Sequence, residues 1–223
     1  MLNPDAEGMT AGMAFPGFYY IDASGVIREK FFTPKYTDRL TANNVIAKLF
    51  PELAAEVSQN VVAPHLRLIL SQSDQRVIPG GRVSLVADIE LPPDVHVYSP
   101  GVKGYRPMQL TLHPFTGVEF QTVSYPSSKT LYLEAVKEQV PVYEGHFRIS
   151  QDVTVNPAKI ADALRSVISA NKKISISGDL AYQACDETIC YPPTSVPVTW
   201  QLQVVTLDLK RSPATIQHKE QSK

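Results

Sequence analysis

Two cysteines, Cys185 and Cys190, are the only ones in the chain, and four residues separate them in the segment GDLAYQACDETICYPP, 178–193. Such a pair can close into one small disulfide ring, the bond that thiol–disulfide exchange makes and breaks. The alternatives are a purely structural bridge or two unpaired thiols. Chain-entropy arguments give a ring of about six residues only roughly 2 kcal/mol of stabilisation. A chain of 223 residues can bury a stable core without that help. A short bridge is therefore a poor staple, and a chemical role gains weight. Structural zinc wants four ligands, usually as two pairs, and only one cysteine pair exists. His96, His113 and His146 stand at no ligand-like spacing and read as ordinary surface or strand histidines. No metal or other cofactor is expected. The thioredoxin-type Cys-x-x-Cys at a helix start is also absent.

The residues beside the pair define what kind of thiols these are. Asp186 and Glu187 lie between them, and no Lys, Arg or His occurs from 174 to 191. Neighbouring carboxylates disfavour a thiolate, so sequence-local effects do not activate either sulfur, although cations brought in by the fold could reverse this. Such a pair suits electron transfer with an already activated partner thiolate better than peroxide attack or acyl transfer, which need a resident activated nucleophile.

The elements that must position the pair are mostly strands. Composition is that of an ordinary globular protein, 43% hydrophobic and 19% charged, with a net charge of −1 that points to neither nucleic acid nor an acidic membrane. No apolar run approaches the length of a transmembrane helix. The N-terminus, MLNPDAEG, lacks the basic and apolar regions of a signal peptide as written. Eighteen prolines against eleven glycines lean towards β-structure with rigid turns.

Residues 12–50 have their own character. A bulky run at 18–21, the turn residues DASG at 22–25 and a return over 26–32 predict a β-hairpin. Thr41 then caps a helix over 42–50, with Val45, Ile46, Leu49 and Phe50 as its apolar positions. Residues 51–63 read as a helix tail and linker. From His65 onward, strands are expected at 65–70, 82–91, 95–98, 108–112, 118–123, 145–155, 173–184 and 196–207. Val83, Leu85, Ala87, Ile89 and Leu91 face one way in the longest alternation. Strands recurring between Pro- and Gly-rich turns predict an antiparallel β-sandwich. One helix interrupts it, with Asn156 as cap and Pro157 at the first helical position, and its apolar stripe reads as core packing. The tail from 210 lacks periodicity and frays.

Two resemblances add to this reading. AFPGFYYIDASGVIREKFF, 14–32, is similar to the C-terminal part of a redoxin domain of thioredoxin fold, with Pro16 at the position of the cis-proline. The half of that fold that carries the reactive cysteine has no counterpart here. Residues 1–52 therefore read as a truncated fragment without redoxin chemistry of its own, and the alternative is a hairpin–helix appendage packed on the second domain.

YQACDETICYPP, 182–193, together with the preceding strands, resembles the N-terminal periplasmic domains of the thiol–disulfide interchange protein DsbD. DVHVYSPG at 94–101 and VYEGHFRI at 142–149 agree with it more loosely. This resemblance spans 64–207 and implies an immunoglobulin-like sandwich, with 53–63 as linker and 208–223 as tail. It implies a periplasmic carrier that takes electrons from a thioredoxin-like or redoxin partner and hands them to oxidised thiol proteins, an oxidoreductase of protein-disulfide reductase type. Cys190 then forms the mixed disulfide and Cys185 resolves it. A cap loop shields the bond, best matched around Tyr143, for which the alternative is a buried sandwich tyrosine; Tyr182 is its weaker support and reads, like Tyr191, more as a packing residue than a chemical one. Glu144 stands between Tyr143 and Gly145, Val140 and Pro141 replace acidic residues, and the cysteine spacing is one residue short of the best-known member. The competing readings are a binding module with a structural disulfide and a peroxidase-like enzyme, for which the reactive cysteine is lacking.

Overall fold

The computed structural model describes residues 15, 17–33, 40–50, 53, 58–134, 137–156 and 173–205. From the N-terminus the elements are β1 (Gly17–Ile21), β2 (Ile27–Phe32), α1 (Ala42–Leu49), β3 (Ser58–Val61), β4 (Arg67–Gln72), β5 (Arg76–Val77), β6 (Arg82–Glu90), β7 (His96–Tyr98) and β8 (Gln109–Leu112). They continue with β9 (Val118–Ser124), β10 (Lys129–Leu133), β11 (Glu138–Glu144), β12 (His146–Val155), β13 (Lys173–Tyr182), β14 (Ala184–Cys185) and β15 (Thr194–Val204). Among the described residues, no helix is long and apolar enough to cross a membrane.

The mainly β architecture expected from the alternation is what forms. A five-stranded sheet runs β3-β4-β6-β12-β9 and a four-stranded sheet runs β5-β15-β13-β8. Among the described residues, every strand pairing is antiparallel except the short β5–β15 contact. Period two sends Val83, Leu85, Ala87 and Ile89 of β6 inward, where they share one core with Ile174, Ile176 and Leu180 of β13 and with Val198 and Leu202 of β15. Trp200 of β15 ties the two sheets together, because its buried indole N–H donates across the core to the carbonyls of Ser71 and Val86. A smaller sheet, β10-β11-β7-β14, carries the cysteine end of the sandwich.

The N-terminal hairpin forms as predicted. Asp22 Oδ1 accepts from the amides of Ser24 and Val26 while Gly25 takes φ 82°, which closes the turn between β1 and β2. Thr41 caps α1 and shares a capping box with Asn44. The helix then packs on the outer face of β6, which explains why Ser84 and Val86 are buried although they point away from the core. Its buried residues are Asn44 and Ala47. Asn44 Nδ2 donates to the hydroxyls of Ser73 (2.9 Å) and Ser84 (3.2 Å), and Lys48 pairs with Asp152 at 2.9 Å. The apolar stripe of α1 is only half-buried, with Phe50 edge-on to Tyr20. Polar groups thus dock the helix on the sandwich. Asn44→Ala, which strands buried hydrogen-bonding groups, is expected to lower unfolding free energy by about 1–3 kcal/mol. Denaturant titration checks it, and a loss within about 0.5 kcal/mol, the scale of ordinary surface substitutions, would mean that this network does not hold the helix.

Some segments depart from expectation. Residues 58–61, read as linker, form the polar edge strand β3, held by main-chain pairing to β4 with little side-chain burial. β10 and β11 form where a loop around Tyr143 was expected. Pro141, which ordinarily argues against an inner strand, sits in β11 opposite Thr130, and its carbonyl accepts from Ser99. The helix expected after Asn156, Pro16 and the tail from 210 lie outside the described residues.

Candidate functional site

β13 ends at Tyr182, and the two-residue strand β14 carries the chain over to the small sheet, where it pairs with β7. Asp186 to Ile189 then turn the chain back so that Cys190 bridges to Cys185 in antiparallel fashion. The two sulfurs are bonded, with S–S 2.04 Å and Cα atoms 4.0 Å apart. The small disulfide ring expected from the four-residue spacing is therefore present.

Asp186 is the knot of that turn. Its carboxylate accepts from the amides of Ile189 (2.8 Å) and Thr188 (2.7 Å), from the Thr188 hydroxyl and from the Tyr191 hydroxyl. These bonds, the Ile189 and Thr188 amides foremost, hold its carboxyl well below the usual carboxylate range, so it stays ionised and keeps accepting them. Beyond the ring, Tyr191 stacks on His65 with ring centroids 3.7 Å apart, and Gln183 donates to the Tyr191 carbonyl. Both flanks of the disulfide are thereby fastened to the sandwich.

The two sulfur-bearing residues differ sharply in access. Cys185 is 1% exposed, whereas Cys190 is exposed, beside Ile189 at 55% and the exposed Pro192 and Pro193. Tyr98 of β7 roofs the bond, with its hydroxyl 3.7 Å from Cys185 Sγ and 3.8 Å from Cys190 Sγ. Burial pushes the Tyr98 phenol above its ordinary value, and neighbouring Tyr105 adds to this, so it remains a neutral donor. Tyr105 stacks on Tyr98 at 4.4 Å and donates to Glu138, which ties the loop after β7 to the start of β11. Val140 and Val142 of β11 complete an apolar cluster around Cys185, with Leu131 and Leu133 of β10 packed on it.

Tyr143 and Tyr182, the candidates for the cap, take the alternative placing as buried sandwich tyrosines. Tyr143 occupies the opposite face of β11 from Val142 and belongs to the main core, where it stacks on Phe147 and donates to the Pro126 carbonyl. Tyr182 is also a core residue. It donates to the Pro64 carbonyl at 2.7 Å, and burial pushes its phenol up to about 12. The cover over the sulfurs is made by Tyr98, Tyr105 and the apolar side chains of β10 and β11. Val140, standing where the resemblance placed acidic residues, is one of these buried side chains. Sequence reasoning missed Tyr98 and underrated His96, which pairs directly with Cys185 across β7 and β14. The signal was present in HVY, 96–98, since period two puts His96 and Tyr98 on one face of a strand.

Residues 68–200 match the family model described as thiol:disulfide interchange protein DsbD, N-terminal. The chain belongs to the DsbD N-terminal family. No curated protein matches it. Among solved structures, the N-terminal periplasmic domain of ScsB from Proteus mirabilis aligns at 11% identity and TM-score 0.44, covering 65% of this chain and 49% of that one. The chain therefore spans about half the length of that neighbour. The DsbD N-terminal domain of Neisseria meningitidis, in its reduced form, aligns at 15% identity and TM-score 0.34, covering 71% of this chain and 98% of that one. The match to the DsbD N-terminal family begins after α1, so the hairpin and helix stand outside it. Membership and the bonded cysteine pair together place the chain in the thiol–disulfide exchange family.

Proposed function

We propose that the Cys185–Cys190 pair is a redox-active disulfide that carries reducing equivalents between a thioredoxin-like partner and oxidised thiol proteins, in the periplasm. The observation that carries this reading is the asymmetry of the pair: one sulfur on an accessible rim, the other buried beneath a tyrosine roof. A structural staple has no use for such an arrangement, but exchange does. In the reductive direction, a partner thiolate attacks Cys190 Sγ, the Cys190–Cys185 bond breaks, and Cys185 leaves as a thiolate that takes up a proton. A second partner thiol then displaces Cys190 from the mixed disulfide, so that two electrons and two protons reach the pair. Reversing these steps reduces an acceptor disulfide. The exposed apolar surface at Ile189 and the two prolines is where a partner's active-site rim would sit. Residues 1–52 serve as an appendage to this carrier and take no part in the exchange.

The reduction potential tests the proposal. Equilibration against glutathione or dithiothreitol buffers is expected to give a value above about −300 mV, in the range of exchangeable pairs. A value below that threshold would mark a structural bridge and favour a binding module instead.

A further inference from the structure

His96 is 6% exposed, and its Nε2 atom has no hydrogen-bond partner. An orphaned ring nitrogen buried this deeply is costly unless it is used in another state of the protein. Its place in the fold identifies that state. His96 lies directly opposite Cys185 in the β7–β14 ladder, and directly opposite residues of an antiparallel pair project from the same face with Cβ atoms about 4.5–5.5 Å apart. In the oxidised protein, Cys185 Sγ is occupied by its bond to Cys190. Once that bond opens, the sulfur carries a proton and is free to turn about χ1 towards the imidazole. The S–H of the dithiol form is a donor for Nε2 that the oxidised protein does not offer.

We propose that His96 is the general base for Cys185, taking the thiol proton through Nε2 as Cys185 resolves the mixed disulfide on Cys190. This deepens the exchange reading above and rests on it. When the dithiol reduces an acceptor, Cys190 thiolate first bonds to one acceptor sulfur and the other leaves as a thiolate. The Cys185 S–H proton then passes to His96 Nε2, which requires the tautomer protonated on Nδ1. Cys185 Sγ bonds to Cys190 Sγ, the Cys190–acceptor bond breaks, and the second acceptor sulfur leaves with the electron pair. The imidazolium returns its proton to solvent or to that leaving thiolate. The dithiol loses two electrons and the acceptor disulfide gains them.

The surroundings suit a base. Glu144 of β11 stands opposite His96 on its other side and is itself paired with Lys129 of β10 at 3.3 Å. Asp186 approaches from the turn after β14, and Tyr98 stands edge-on from β7 itself at 5.6 Å. Burial holds the imidazole below its ordinary value against the opposing pull of Glu144 and Asp186, so the ring is neutral and able to accept at neutral pH. The cation that the segment 174–191 lacks thus arises during the step, from a strand far away in sequence.

The test mixes reduced full-length protein with one equivalent of 5,5′-dithiobis(2-nitrobenzoate) and follows thionitrobenzoate release by stopped flow. The first equivalent reports attack by Cys190, and the second reports its displacement by Cys185. His96→Gln is expected to leave the first phase within about twofold and to slow the second on the order of 10²-fold at pH 7. The second phase of the parent protein is expected to be flat between pH 6.5 and 8. In the variant it should climb about tenfold per pH unit, because the thiolate is the nucleophile and must form unaided. An unchanged second phase, or equal slowing of both phases, overturns the proposal. If His96→Gln fails to fold, the parent's own His96 ring-proton titration decides by NMR. A shift between oxidised and reduced forms is expected, and identical titrations overturn it. Absence of any second release from the parent protein would instead bring down the exchange reading and His96 with it.

Discussion

Cys185→Ser is expected to accumulate a mixed disulfide between Cys190 and a thioredoxin-like partner, whereas Cys190→Ser traps none. Exchange is an in-line displacement at sulfur, so the attacked or attacking atom must be reachable by a second protein. Cys190 satisfies that on the exposed rim, and Cys185, 1% exposed beneath Tyr98, does not. With Cys185 removed, the intramolecular displacement that clears the intermediate is lost. Its lifetime then depends on bimolecular attack, which is slower by orders of magnitude at ordinary thiol concentrations. With Cys190 removed, the remaining thiol is covered and no intermediate forms. Non-reducing gels and mass spectrometry of each variant read the outcome after incubation with a thioredoxin-like protein that lacks its own resolving cysteine and carries its remaining one as a thionitrobenzoate mixed disulfide, so that Cys190 thiolate bonds to the partner sulfur and thionitrobenzoate leaves. Equal trapping by the two variants would overturn the assignment of roles.

What could be read ahead of the structure was local. The turn at Asp22 to Gly25, the Thr41 cap, the alternation along β6 and the ring at 185–190 each depend on residues within a few positions of one another. Their physics is therefore written in short stretches. Polar β3 carries no periodic signal, because an edge strand is held by its backbone. β11 was obscured by Pro141, which is tolerated because its carbonyl, and with it the side where an N–H is missing, faces Ser99 just beyond the end of β7. The site divides in the same way. The sulfur pair and its turn were legible, but the roof was not, because Tyr98 and His96 reach Cys185 only through pairing of strands far apart in the chain. The absence of cations from 174 to 191 is a correct statement about the segment. It does not describe the site, which imports an imidazole from β7. The docking face of α1 was hidden for a related reason. The sequence shows an apolar stripe, whereas the docking contacts are polar: Asn44 bonds to Ser73 and to Ser84 of β6, and Lys48 pairs with Asp152 of β12, around buried Ala47.

Tyr98→Ala is expected to change both stability and selectivity. The side chain is 1% exposed and packs in the cluster around Cys185, so its removal should cost about 3–5 kcal/mol, as for other buried aromatic truncations. The same cavity opens a path to the disulfide that does not pass along the rim at Cys190. Small thiols, which need no docking surface, should then reduce the bond severalfold faster than in the parent protein. Tyr98→Phe separates the two effects. It keeps the ring and the stack on Tyr105 and removes only the hydroxyl near the sulfurs, so stability should fall by about 1 kcal/mol or less and the shield should persist. Reduction by dithiothreitol under native conditions, followed by the rate of thiol appearance, is the measurement. Should the alanine variant fall too close to unfolding, Tyr105→Ala thins the roof from outside while leaving Tyr98 in place, and the same acceleration is expected at smaller size. Reduction no faster than in the parent for either variant would mean that the tyrosines pack the end of the sandwich without guarding the bond. Access would then be limited by the turn that Asp186 holds closed.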